Sequence, residues 1–289
     1  MPRPGRAARD RHPPVAGAPT YERPAIAGSG TIATGLAACA SVATDVVLLA
    51  RSDASAWRAE EQAQKLAAKV DGADGGRIKV TTAPADLGEC DLIVEAVVEQ
   101  LATKAELLKS AGDDALDADL ASTTSSLSLD EIGSKSGHAQ RVFGLHPFNP
   151  VAKMDLIELC LPDAAREEIR PRARGWCEAI GKSVVEVPNE PGFVVNRLLF
   201  PYLFDAVRLM EQTGMEAEDV DRCMTLGANY PMGPLALLDL IGVDVAIAIG
   251  ETLYADSGED HHRPPGRLIA LVDEGRLGRK AGAGFYDYD

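Results

Sequence analysis

The chain has 289 residues, 46% of them hydrophobic and 25% charged, with a formal net charge of −15. That length accommodates one large domain or two ordinary ones, and the composition is that of a globular protein. No apolar run reaches the roughly 18 residues of a membrane helix, and the acidic balance excludes a general binder of nucleic acid, although one local pocket can still hold a small anion. Residues 1–20, MPRPGRAARDRHPPVAGAPT, hold five prolines and four arginines and no apolar core of the kind a secretory signal needs. They read as a disordered leader outside the fold. Cys39, Cys90, Cys160, Cys177 and Cys223 are scattered, without a CxxC pair or metal-like spacing. No metal site is expected, and the thiols suit a reducing, cytoplasmic setting.

Folded sequence begins near Arg23. Ala25-Ile26-Ala27 leads into Gly28-Ser29-Gly30-Thr31-Ile32-Ala33, a helix-like stretch follows, and Asp45-Val46-Val47-Leu48-Leu49 reads as a second strand. A glycine pattern between a strand and a helix of one βαβ unit is the context that gives GxGxxG/A its meaning. Gly28 permits the tight turn, Gly30 lets backbone approach a pyrophosphate, and small Ala33 lets helix and strand pack closely. The helix N-terminus then offers unpaired N–H groups and a positive dipole end to phosphate. The bland alternative is a glycine-rich turn, which the two flanking strands disfavour.

The acid that usually closes the second strand and holds the ribose 2′-hydroxyl is replaced here by Arg51, followed by Ser52. An arginine beside a hydroxyl suits a 2′-phosphate, so the cofactor is NAD or NADP. Two other readings stay open: Asp53 takes the ribose, or Arg51 lies over the adenine. One helix is expected over Ala56–Val70, before the strand Arg77-Ile78-Lys79-Val80. Asp91 to Glu99 reads as a buried strand ending in an acid, and a helix from near Ala102 carries Lys104. The hydroxyl run Ser122-Thr123-Thr124-Ser125-Ser126 closes a further strand. Ligands of open α/β sheets sit at such strand ends; the same run can also cap a helix. Ser125 suits the first role and Ser128 the second.

Five histidines are separated by context. His12 lies in the leader, His138 follows a polar stretch, and His261 and His262 fall in what reads as a solvated loop. Only His146 is embedded in apolar sequence, Val142-Phe143-Gly144-Leu145-His146. A histidine on a buried strand is more often a satisfied core residue than a catalyst. Glu158, in Leu156-Ile157-Glu158-Leu159, shifts that balance, because a carboxylate in an apolar run is costly to bury unpaired. If residues 149–153 return one strand beside the other, His146 and Glu158 meet. An imidazole held by a carboxylate is a good general base, as alcohol oxidation by a nicotinamide cofactor requires.

The segment GLHPFNPVAKMDLIEL, with Pro191-Gly192-Phe193-Val194-Val195-Asn196-Arg197, Tyr230-Pro231-Met232-Gly233-Pro234 and Lys280-Ala281-Gly282-Ala283-Gly284-Phe285-Tyr286, resembles the 3-hydroxyacyl-CoA dehydrogenase family over residues 23–289. The resemblance implies an α/β, Rossmann-type doubly wound sheet over residues 21–188, followed by an all-helical C-terminal domain over 189–289. It implies His146 as base and Glu158 as its orienting partner, with Ser125 on the substrate oxygen and Asn196 holding or polarising the substrate. It also implies that Glu99, Lys104, Asn149 and Lys280 line the cofactor. For Asn196, at the start of a helix with Phe200, Leu203, Val207 and Met210 on one face, packing or capping is the plainer alternative. A homodimer is implied through the helical domain, and apolar stretches such as Leu235 to Ile249 agree.

The match weakens after the second strand. Relatives carry a helical hairpin there that reaches over the CoA, and Ser52 to Gly76 holds room for one helix only. Thr123 and Pro147 also stand where the family has an asparagine and an aromatic. The expected activity is oxidation or reduction of a short-chain 3-hydroxyacyl-CoA, a reaction of fatty-acid metabolism. The shortened hairpin keeps open a dehydrogenase of the same fold for a free hydroxy acid or other non-CoA alcohol. A cofactor-binding protein without turnover fits less well, because Ser125, His146, Glu158 and Asn196 are all present.

Overall fold

A computed structural model describes residues 20–288, so the expected leader falls outside the described residues apart from Thr20. The chain divides after Asn189 into two compact units. The first is built on eight strands: β1 (Pro24–Ala27), β2 (Val46–Leu49), β3 (Ile78–Thr81), β4 (Leu92–Glu95), β5 (Asp119–Ser122), β6 (Val142–Pro147), β7 (Leu156–Cys160) and β8 (Ser183–Glu186). Their order is β3-β2-β1-β4-β5-β6-β7-β8. All neighbours are parallel except β6 and β7. The order reverses between β1 and β4, which opens a crevice at the carboxyl ends of the strands.

Alternation along the strands serves both faces of the sheet. Ile26, Leu92 and Val94 pack with residues of α1 (Thr31–Ala40), α2 (Asp53–Ala67) and α5 (Ile169–Ala179). Their neighbours Ala25 and Ile93 pack on the other face with Leu108 and Ala111 of α3 (Leu101–Asp114) and Ile132 of α4 (Leu129–Ser136). This is a Rossmann-like, doubly wound sheet. At its amino edge buried Asp119 accepts hydrogen bonds from Tyr21 (2.8 Å), Arg166 (2.9 Å) and Arg172 (2.8 Å).

Two elements differ from expectation in their bounds, and α2 does so at both ends, stopping at Ala67 rather than Val70. α2 starts at Asp53 rather than Ala56, because Ser52 and Ser55 close a reciprocal cap: Ser55 N donates to Ser52 Oγ, and Ser52 N donates to Ser55 Oγ at 3.1 Å. The fourth strand ends at Glu95, not Glu99. Val97 N donates to Glu95 Oε1 at 2.7 Å, so the chain turns out of the sheet although its side chains stay apolar. Only residues 68–77 connect α2 to β3, and they hold no second long helix.

The second unit is helical: α6 (Val195–Thr213), α7 (Ala217–Gly227), α8 (Pro234–Ile241), α9 (Val243–Ser257) and α10 (Gly266–Asp273). Phe200, Leu203, Phe204, Leu235, Leu238, Leu253 and Leu268 form its core. Two aspartates tie the C-terminal tail to it. Asp221 accepts from Leu235 N (2.8 Å), Ala236 N (2.9 Å) and Tyr286 OH (2.7 Å). Asp239 accepts from Phe285 N (2.9 Å), Tyr286 N (3.0 Å) and Tyr288 OH (2.9 Å). His262 does not lie in a solvated loop: it is buried, with Nδ1 2.6 Å from Ser257 Oγ, while His261 is exposed. No helix among the described residues is long and apolar enough to cross a membrane.

Candidate active site

The glycine turn comes first. Gly28 N donates to Leu49 O at 2.9 Å, and Gly28 has φ +148, where a side chain would be strained. A Cβ there would also lie 2.3 Å from Ala96 O, so this glycine belongs to the fold. Gly30 differs. It is the N-cap residue of α1, in extended conformation, and a Cβ there would meet nothing within 4 Å. The open space above the first N–H groups of α1 is what a dinucleotide pyrophosphate needs, and fully buried Ala33 lies beneath. These residues fit a nicotinamide nucleotide. Arg51, Ser52 and Asp53 follow at the carboxyl end of β2, all exposed.

A charge network, buried at Glu95 and Lys104 and reaching the surface at Glu99, lies at the ends of β4 and β5. Glu95 is fully buried and Lys104 is 1% exposed. Lys104 Nζ lies 2.9 Å from Glu95 Oε1 and 3.1 Å from Glu99 Oε2. Ser122 Oγ donates to Glu95 Oε2 at 2.7 Å. Glu99 Oε1 accepts from Thr124 Oγ1 (2.6 Å), Ser125 N (2.9 Å), Ser126 N (3.3 Å) and Ser126 Oγ (3.2 Å). Burial would raise the Glu99 carboxyl, but Lys104, the Thr124 hydroxyl and the Ser125 N–H outweigh it and hold the group below its ordinary range. Glu99 thus fixes the turn that carries half-buried Ser125, and Ser128 caps α4 by accepting from Glu131 N at 3.3 Å. Sequence reading missed Glu95, Ser122 and Thr124. The signal was there for Glu95, which is a carboxylate inside an apolar strand like Glu158.

Next to β5, β6 and β7 pair with His146 directly opposite Glu158. His146 Nδ1 lies 2.7 Å from Glu158 Oε2, with both residues buried. A carboxylate buried in an apolar strand is tolerable only with such a partner, and its position fixes the imidazole's tautomer. The Phe148 ring meets His146 edge-on at 4.6 Å between centroids. Ser122 is in register with Gly144, so Ser125 and His146 stand at neighbouring strand ends on the carboxyl edge. Asn149 follows β6 in an exposed turn. In the second unit, buried Asn196 lies in the first turn of α6, and exposed Lys280 ion-pairs with Asp244. Among the described residues no three His, Cys, Asp or Glu side chains are grouped to hold a metal ion.

Residues 24–190 match the NAD binding domain of 3-hydroxyacyl-CoA dehydrogenase, and residues 192–288 match its C-terminal domain. A 3-hydroxybutyryl-CoA dehydrogenase of Mycobacterium tuberculosis is 39% identical over 216 residues, which cover 74% of this chain and 76% of the relative. One from Clostridioides difficile is 36% identical over 277 residues, covering 92% and 99%. Among solved structures, M. tuberculosis FadB2 superposes with a TM-score of 0.89 at 33% identity, over 93% of this chain and all of the other.

Proposed function

Because the chain belongs to the 3-hydroxyacyl-CoA dehydrogenase family, we propose that it moves hydride between NAD(P) and the 3-hydroxy or 3-keto carbon of a short-chain acyl-CoA, with His146 and Glu158 as its general-base pair. The enzyme is an oxidoreductase that uses a nicotinamide nucleotide. The short chain length follows the relatives, which are named for 3-hydroxybutyryl-CoA. The observation that carries the proton chemistry is the buried 2.7 Å contact between His146 Nδ1 and Glu158.

When bound, the nicotinamide accepts or returns the hydride. The glycine turn and the N-terminus of α1 hold the nucleotide's pyrophosphate, and Glu99, Lys104, Asn149 and Lys280 keep the cofactor-side roles that the resemblance implies. Ser125 Oγ donates to the substrate oxygen from a turn that Glu99 makes rigid. His146 Nε2 takes the hydroxyl proton during oxidation and returns it during reduction. Glu158 keeps Nδ1 protonated and stabilises the imidazolium that forms. Asn196 is assigned to the substrate as a holding or polarising group.

A homodimer fits the exposed apolar side chains of the second unit, Leu198 (71% exposed) and Leu226 (73%) among them; sedimentation measures it. Four buried free thiols suit a reducing, cytoplasmic compartment. The enzymatic test is oxidation of NADH and NADPH by acetoacetyl-CoA, with free acetoacetate as control. Thioester-dependent turnover is expected, and absence of turnover with both nucleotides would defeat the reading.

A further inference from the structure

We propose that the carboxyl end of β2 is a binding site for a ribose 2′-phosphate, so that the protein prefers NADP(H) over NAD(H). The inference rests on the nicotinamide reading above and goes beyond it. β2 lies directly beside β1, with Ala27 in register with Leu49, and Gly28 N donates to Leu49 O. The residues just past Leu49 therefore flank the glycine turn. With a pyrophosphate at Gly30, this is where the adenosine ribose of a dinucleotide lies.

The side chain there decides between the two nucleotides. A carboxylate accepts hydrogen bonds from ribose hydroxyls and repels a phosphate, whereas a guanidinium does the reverse. This chain has Arg51. It is exposed, and among the described residues it makes no hydrogen bond or ion pair, so the fold does not use its charge. The nearest acid that could take the ribose, Asp53, is the first residue of α2 and accepts from Thr82 Oγ1 at 3.3 Å. That bond turns it toward the end of β3.

Ser52 adds a donor. The Ser55 hydroxyl is spent on Ser52 O at 2.8 Å, and Ser52 Oγ accepts from Ser55 N and lies 3.1 Å from Ser55 Oγ, so the Ser52 hydroxyl proton faces Ser55 Oγ and would have to turn from it to serve a phosphate oxygen. The N–H groups of Asp53 and Ala54, in the first turn of α2, have no partner inside the helix. On a chain of net charge −15 an additional phosphate dianion is repelled at long range, so a site that accepts it needs a local cation. Arg51 supplies one.

The test is calorimetric titration of the full chain with NADPH, NADH, adenosine 2′,5′-bisphosphate and 5′-AMP, for wild type, Arg51→Gln and Arg51→Asp. In wild type NADPH and the bisphosphate should bind about 10- to 100-fold more tightly than NADH and 5′-AMP, the range of a charge-assisted phosphate pair. Arg51→Gln should remove most of that ratio while NADH affinity stays within about twofold, and Arg51→Asp should reverse it. Unliganded melting temperatures should not move, because Arg51 is exposed and makes no hydrogen bond or ion pair among the described residues. Equal or tighter binding of NADH by wild type overturns the 2′-phosphate site and leaves the nicotinamide reading intact. A preference for NADPH that survives in both variants overturns the assignment to Arg51. Failure of all four ligands to bind overturns the nicotinamide reading itself.

Discussion

At the residue scale, the two glycines of one motif have different duties. Gly28 is required by its positive φ and by Ala96 O at 2.3 Å from a would-be Cβ, so Gly28→Ala should cost about 1–3 kcal/mol of stability or more. Gly30→Val puts its side chain into open space and should leave chemical unfolding nearly unchanged while nucleotide affinity collapses. Parallel loss of stability and affinity at Gly30 would mean that this glycine serves the fold. His146→Ala should lower kcat by about 10²- to 10⁴-fold, the usual reach of a general base, with folding intact. Wild-type rates in that variant would sink the proposed mechanism. Glu99 gives a pH prediction with a definite sign. Its carboxyl lies below the ordinary value of 4.5 in the folded chain. The stability it contributes is therefore present above that value and is lost as pH falls through the folded value. Glu99→Gln should be less stable than wild type near neutral pH, and the gap should close in acid; a gap independent of pH would assign the effect to packing.

At the element scale, what mattered was where each element stops. The run 91–99 is apolar enough to read as one strand, but the Glu95 carboxylate captures Val97 N and ends β4 early. That frees Glu99 to reach the Ser125 turn. Hydropathy cannot signal such a stop, because it depends on a side chain folding back onto its own backbone. The C-terminal tail has a similar logic. Gly278 and Gly284 approach Asp239 so closely that a Cβ would fall 2.3 Å from Asp239 O and 2.0 Å from Asp239 Oδ1 respectively. Asp239→Ala leaves two part-buried N–H donors and the Tyr288 hydroxyl without their carboxylate, at up to about 1–3 kcal/mol each when no water replaces it. Its denaturation midpoint should therefore drop sharply, with nucleotide binding by the first unit retained. A near-neutral effect would show that the tail holds through its apolar contacts alone.

At the scale of the whole molecule, the two compact units have separate cores, and the glycine turn belongs to the first. Nucleotide at 100 times its Kd should add about 2.7 kcal/mol to the state that binds it. The unfolding transition that includes the first unit should rise by several degrees, and no rise with either nucleotide would contradict the cofactor reading. Family resemblance alone pointed to the doubly wound sheet, whereas sequence pattern determined the strand–turn–helix signature, the helical second half and the candidate pair His146 and Glu158. Each of these is a local pattern or the costly burial of one polar side chain in an apolar run, and both are written in neighbouring residues. Tertiary structure alone decided that His146 stands directly opposite Glu158, that Lys104 lies between Glu95 and Glu99, and that Arg51, beside the glycine turn, has no charged partner among the described residues. Those facts depend on strand register and on partners dozens of residues apart. Register is set when the whole sheet packs, because a slip of one residue would carry every side chain to the other face.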